Sequence, residues 1–143
     1  MNNQLKLFRK VNEIVLFDDN MIESAKECFQ DYVEKGIILT TNFEENRWAT
    51  TNEYSNVSFI FNLNKFQYKR FYEQVFQLSF DDFVIYLKSF IVLSMEHHVL
   101  ITLQAFLRDI KKLVKEIKVN EVFSLANMKI SNPSVCIDFL STL

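Results

Sequence analysis

Glycine and proline are almost absent from this chain: each occurs once in 143 residues, as Gly36 and Pro133. Tight turns and phosphate-binding loops rely on glycine because it adopts backbone conformations that other residues avoid, and proline marks many loops. Such scarcity argues against a loop-rich β-sandwich or a glycine-lined phosphate loop. It favours long helices, and a hydrophobic content of 49% provides ample core for one domain.

The first part of the chain, residues 1–78, predicts a small α/β element. Residues 11–17 form a short β-like run. Apolar side chains then recur at helical spacing from Met21 to Val33, and Gly36 follows as a natural end for that helix.

A β-hairpin is predicted next. In residues 57–63 large apolar side chains occupy every second position and alternate with Ser58, Ile60 and Asn62, which is the period of a half-buried strand. Residues 47–50 are the expected partner strand of this hairpin. Residues 65–77 mix aromatic and basic side chains and predict a helix.

From Ser79 onward the pattern is helical. Ser79 and Asp82 resemble a capping box at the start of one helix. A second helix is predicted from about His98 to Lys118. Its apolar face comprises Val99, Leu103, Phe106, Leu107, Ile110, Val114 and Ile117.

The end of the chain predicts two shorter helical pieces. Residues 120–127 suit one or two helical turns, and Pro133 suits the first position of a last helix. The predicted fold is therefore mainly α. A helical bundle formed by residues 79–143 follows the small α/β element of residues 1–78 with its short hairpin.

A row of polar and basic side chains lies on the predicted helix 98–118, although the whole chain carries a net charge of only −2. Its members follow one another at intervals of three and four, with one further lysine alongside. They are Gln104, Arg108, Lys111 and Lys115, with Lys112. Such a row can lie along a phosphate backbone. It also suits a solvated helix face, with Asp109 and Glu116 as intrahelical partners.

A second basic set, Lys65, Lys69 and Arg70, alternates with aromatic residues. Cations interleaved with rings suit nucleic acid, because rings stack on bases while cations contact phosphates. The same aromatic residues equally suit the core of the protein.

The two histidines, His97 and His98, are adjacent. On a helix they diverge by about 100° and cannot share a metal ion, whereas a zinc helix places two histidines four residues apart. We therefore interpret them as a polar entry to a helix. No catalytic residue, metal site, cofactor or small-molecule substrate is predicted.

Two segments resemble a known family. FDDFVIYLKSFIVLSMEHHVLITLQAFLRDIKKLV, residues 80–114, is similar to the core-binding (SAM-like) domain of tyrosine recombinases, the phage-type integrases. It has a short helix entered through an acidic turn, a Leu-Ser junction, and a long helix with basic residues between Leu and Phe. KISNPSVCIDFL, residues 129–140, resembles the Asn-Pro element that closes that domain.

The resemblance implies DNA binding without catalysis. Family members enclose DNA in a clamp whose N-terminal half is this helical domain. Their catalytic half uses a tyrosine nucleophile with a His-x-x-Arg motif, which is absent from these 143 residues. The expectation is the DNA-binding N-terminal portion of a recombinase, lacking the catalytic domain and therefore not an enzyme.

The expected partner is double-stranded DNA at a recombination site, and self-association on DNA stays open. The predicted contacts to phosphates come from the helix 98–118, with Gln104 at a base edge and a further phosphate contact from the preceding helix. The phosphate contacts are Arg108, Lys111, Lys112 and Lys115, with Lys88 on the preceding helix.

No signal peptide or membrane span is recognisable in the sequence. The expectation is a cytoplasmic protein, bacterial or phage-encoded, with no membrane partner. The alternative function is an α-helical protein–protein interaction or regulatory module without DNA binding. For that alternative, some of the fifteen phenylalanines would form an exposed apolar patch.

Overall fold

In the computed structural model the described residues are 19–116 and 133–143. They form six helices and one two-stranded antiparallel sheet. The elements are α1 (Asp19–Glu34), β1 (Arg47–Thr51), β2 (Asn56–Ile60), α2 (Lys65–Phe71), α3 (Glu73–Phe76), α4 (Phe80–Ser94), α5 (Leu100–Glu116) and α6 (Pro133–Leu140). The mainly helical fold with a short hairpin is as predicted. The predicted strand at 11–17 and the turns at 120–127 lie outside the described residues.

Helix α1 confirms the prediction made from its apolar spacing. Ala25 and Phe29 are buried one turn apart and face the core. Gly36, with φ of 76°, ends the helix in the left-handed region that favours glycine, and its amide donates to the carbonyl of Val33 at 3.0 Å.

The predicted hairpin forms, but its second strand ends at Ile60, so residues 61–63 of the predicted strand lie beyond it. β1 and β2 pair antiparallel, with Arg47 opposite Ile60 and Trp48 opposite Phe59. Burial alternates along both strands, so that Trp48, Val57 and Phe59 point into the core. Ile38 adds an isolated bridge to the outer edge of β1.

The predicted helix at 65–77 is interrupted. Asn64 caps the start of α2 by accepting from the amide of Gln67, and the helix ends before Tyr72. Tyr72 leaves helical geometry with φ of −122°, and its buried hydroxyl donates to the carbonyl of Leu113 at 2.6 Å. α3 follows and stops at Gln77 in the left-handed region.

Helices α4 and α5 form a hairpin. Ser79 caps α4 by accepting from the amide of Asp82, which is the serine half of the predicted capping box. α5 begins at Leu100, after a turn in which the amides of His97 and His98 both donate to Ser94. The prediction that Val99 is buried is wrong: Val99 precedes the first turn of α5, and 67% of it is exposed.

The core is continuous across residue 78, where the sequence suggested a boundary between two parts. Helix α1 packs on α4, and α5 packs on β2, α2 and α6. One cluster of buried side chains extends from Ala25 to Phe139. Phe139 of α6 meets Phe90 and Phe106 edge-on, which joins α6 to the α4–α5 hairpin. No helix among the described residues is both long and apolar enough to cross a bilayer.

Candidate nucleic-acid interface

The outer edge of β2 lies against α5. Main-chain groups alternate in direction along a strand, and those of Ala49 and Thr51 in β1 bond to residues 37–39. The groups of Trp48 and Thr50 therefore face β2. By the same alternation, the carbonyls of Ser58 and Ile60 in β2 point away from β1, toward α5.

Two residues of the predicted DNA-binding row bond to that edge. Gln104 donates from Nε2 to the carbonyl of Ser58 at 3.0 Å. The Nζ of Lys111 donates to the carbonyl of Ile60 at 3.1 Å and to Oδ1 of Asn62 at 3.3 Å. Both side chains are half-buried, and burial lowers the pKa of Lys111.

These bonds change the interpretation of the row. An open strand edge invites pairing with other chains, and α5 covers this one with side-chain donors. Gln104 and Lys111 thus hold the hairpin to the helical part of the molecule. A base-edge contact from Gln104, or a phosphate contact from Lys111, would require breaking bonds that the fold uses.

The other basic residues of the row are not bonded to the edge of β2. Arg108 and Lys115 are exposed and lie seven residues apart, which places them on one stripe of α5, and Lys112 is half-buried beside them. The ion pairs of Lys26 with Glu44 and of Lys35 with Asp31 are on another part of the molecule. Arg108, Lys112 and Lys115 are therefore the cations of α5 that can meet a phosphate backbone.

The position of Lys88 contradicts the phosphate contact predicted for it. Only 3% of this residue is exposed, because it points from α4 into the core. Its Nζ donates to the carbonyls of Phe43 at 3.0 Å and Glu45 at 2.9 Å. Burial lowers the pKa of Lys88 to about 8, and the nearby carboxylates of Glu44 and Glu45 oppose that shift. An ammonium held in this way cannot make the predicted phosphate contact.

Three aromatic rings surround this ammonium. It lies 5.2 Å from the ring centroid of Phe61, 5.8 Å from Phe43 and 6.0 Å from Trp48. We call these three rings and Lys88 the lysine box. The sequence did contain a signal for it, because every residue three or four positions from Lys88 is apolar. Those residues are Val84, Ile85, Ile91 and Val92.

Helix α2 exposes its basic residues, whereas its aromatic residues divide between the core and the solvent. Lys65, Lys69 and Arg70 are exposed. Tyr68 is buried, as the core interpretation of the aromatic residues expects, whereas 68% of Phe66 is exposed. A second exposed group of cations therefore accompanies the one on α5.

The histidines line a cleft of about 370 Å³ in the turn between α4 and α5. His97 is exposed and His98 half-buried, and the apolar residues lining the cleft include Tyr32, Ile37 and Val99. Within residues 19–116 and 133–143, no three histidine, cysteine or acidic side chains come together as metal ligands would.

Comparison with known proteins gives no match: no family model, curated protein or solved structure is significantly similar to the chain. The resemblance to a recombinase core-binding domain therefore stays a prediction from the residues quoted above. Chemically, the described surface offers two groups of exposed cations, one on α5 and one on α2.

Proposed function

We propose that this protein is a DNA-binding module of the kind that forms the N-terminal, core-binding part of tyrosine recombinases. Duplex DNA lies along the exposed stripe of α5, where Arg108, Lys112 and Lys115 contact phosphates. Strand cleavage is not part of the proposal, because these residues supply charge and no nucleophile with its activating groups.

The observation that carries the proposal is the position of Arg108 and Lys115. Both are exposed to solvent on α5, and neither takes part in the ion pairs of Lys26 with Glu44 and of Lys35 with Asp31. Cations placed at regular spacing on a helix neutralise phosphates and release counterions, which gives affinity that depends on salt and little on base sequence. With Gln104 bonded to β2, the proposed interface includes no direct base contact from α5.

The double variant Arg108→Ala/Lys115→Ala tests this proposal. Binding to a fluorescein-labelled duplex, measured by anisotropy in about 50 mM NaCl, is expected to weaken at least about tenfold. Both side chains are exposed, so the thermal unfolding midpoint should not change.

A charge-matched control is available in Lys26→Ala/Lys35→Ala, which also removes two exposed cations, here from the ion pairs of α1. That variant is expected to bind like the unmodified protein. Equal losses in the two double variants would show attraction by net charge alone and would reject an interface on α5.

A second function is favoured by a different observation. Val99, 67% exposed, borders the histidine-lined cleft, and Ile101 beside it is also exposed. Adjacent exposed apolar side chains mark a surface for a partner protein, which suits the interaction-module alternative. Under that alternative, Val99→Ser and not Arg108→Ala/Lys115→Ala would abolish capture of the partner.

A further inference from the structure

The outward face of α2 combines exposed charge with an exposed aromatic ring. Phe66, Lys69 and Arg70 occupy positions i, i+3 and i+4, which share one face of a helix. All three are exposed, while Tyr68 is buried on the opposite face and packs its ring against Phe83 at 4.7 Å. We call Phe66, Lys69 and Arg70 the α2 face.

The two basic side chains of the α2 face are exposed to solvent. Neither belongs to the ion pairs between described residues, and the nearest acidic residue along the chain is Glu73, at the start of α3. The guanidinium of Arg70 lies 5.0 Å from the ring of half-buried Phe71, which limits its rotation. Basic residues in the last turn also complement the helix dipole, but that effect does not explain an exposed ring at Phe66.

Helix α2 lies at the carboxyl-terminal end of α5. Two long-range contacts place it there: Lys111 bonds to Asn62, just before α2, and Tyr72, just after α2, bonds to the carbonyl of Leu113. Lys112 and Lys115 belong to this same end of α5. Helix α2 therefore packs beside the end of α5 that carries Lys112 and Lys115.

We propose that the α2 face is a second contact with duplex DNA, in which Lys69 and Arg70 contact phosphates and Phe66 packs against apolar sugar and base surface. This inference rests on the function proposed above. Proteins that grip DNA through its backbone often add an apolar side chain that presses against bases in the minor groove, flanked by cations. A large apolar ring in solvent costs solubility, and contact with a nucleic acid would cover it.

Two variants separate the roles of ring and charge. Phe66→Ala is expected to weaken binding to a labelled duplex at least about fivefold without changing its dependence on salt. Lys69→Ala/Arg70→Ala is expected to weaken binding and to lower the slope of log affinity against log salt by about two. Phe66→Trp keeps a ring and is expected to keep the affinity.

Inorganic polyphosphate serves as a second probe, because it offers phosphates without sugars or bases. Lys69→Ala/Arg70→Ala should weaken binding to polyphosphate, whereas Phe66→Ala should not. Equal weakening of both probes by Phe66→Ala, or full duplex affinity in that variant, would overturn the inference. A change confined to self-association in sedimentation experiments would also overturn it, since a second copy would then cover the ring.

Different results would reject the proposed DNA-binding function and the inference about the α2 face. If the unmodified protein does not bind duplex at low salt, the DNA-binding function itself is wrong. If it binds and Arg108→Ala/Lys115→Ala weakens it while the α2 variants do not, only the inference about the α2 face is wrong. The unfolding midpoint of Phe66→Ala should match that of the unmodified protein, because the ring is exposed.

Discussion

Replacing Lys88 by alanine is expected to lower the free energy of unfolding by about 3–5 kcal/mol. Two effects add in this variant. The carbonyls of Phe43 and Glu45 lose their ammonium donor, and the buried stem leaves a cavity among the rings of the lysine box. Urea unfolding followed by the fluorescence of Trp48, the single tryptophan, measures the change.

Two companion variants make the result specific. Lys88→Met keeps most of the stem volume and removes only the donor, so its loss should be smaller, about 1–2 kcal/mol. Lys115→Ala removes an exposed lysine and should change the unfolding free energy by less than about 0.5 kcal/mol. An Lys88→Ala protein as stable as Lys115→Ala would contradict the buried position of Lys88.

Replacing Trp48 by alanine is expected to destabilise the protein by a similar amount, roughly 3–5 kcal/mol. Trp48 is fully buried, and its ring lies 4.8 Å from Phe29 and from Phe61. Its indole nitrogen donates to the carbonyl of Phe43 at 3.2 Å. The variant therefore removes the ring that joins α1, the hairpin and the lysine box.

Urea unfolding followed by far-ultraviolet circular dichroism measures this loss without needing the tryptophan. Tyr54→Ala is the control, because 90% of Tyr54 is exposed in the hairpin loop, and it should be nearly as stable as the unmodified protein. Equal stability of the Trp48 and Tyr54 variants would mean that Trp48 is not at the centre of the core.

Local signals in the sequence predicted the local structure well. Gly36 ends α1 because it alone supplies a left-handed residue there at no steric cost, and Ser79 starts α4 through its side-chain oxygen. Alternation over residues 57–63 indicated β2 and its buried face. Each of these signals depends on residues only a few positions apart, so the sequence alone is enough to predict the structure that it produces.

The candidate site was predicted less well, because its contacts are long-range. Periodicity shows that Gln104, Arg108, Lys111 and Lys115 share a polar side of α5, yet it does not tell a side facing solvent from one facing a strand edge. The bond from Gln104 to Ser58 spans 46 residues, and no local pattern specifies it. The boundary of α5 was missed for a related reason: Val99 fits the apolar period but precedes the helix.

The direct test of the DNA-binding proposal is the affinity of the unmodified protein for a short labelled duplex as a function of salt. Each phosphate contact contributes about 0.9 to the slope of log affinity against log salt. Three cations on α5, joined by Lys69 and Arg70 on α2, predict a slope between about −2.7 and −4.5 from about 50 to 200 mM NaCl. A slope near zero, or no binding at about 50 mM, would contradict the proposal.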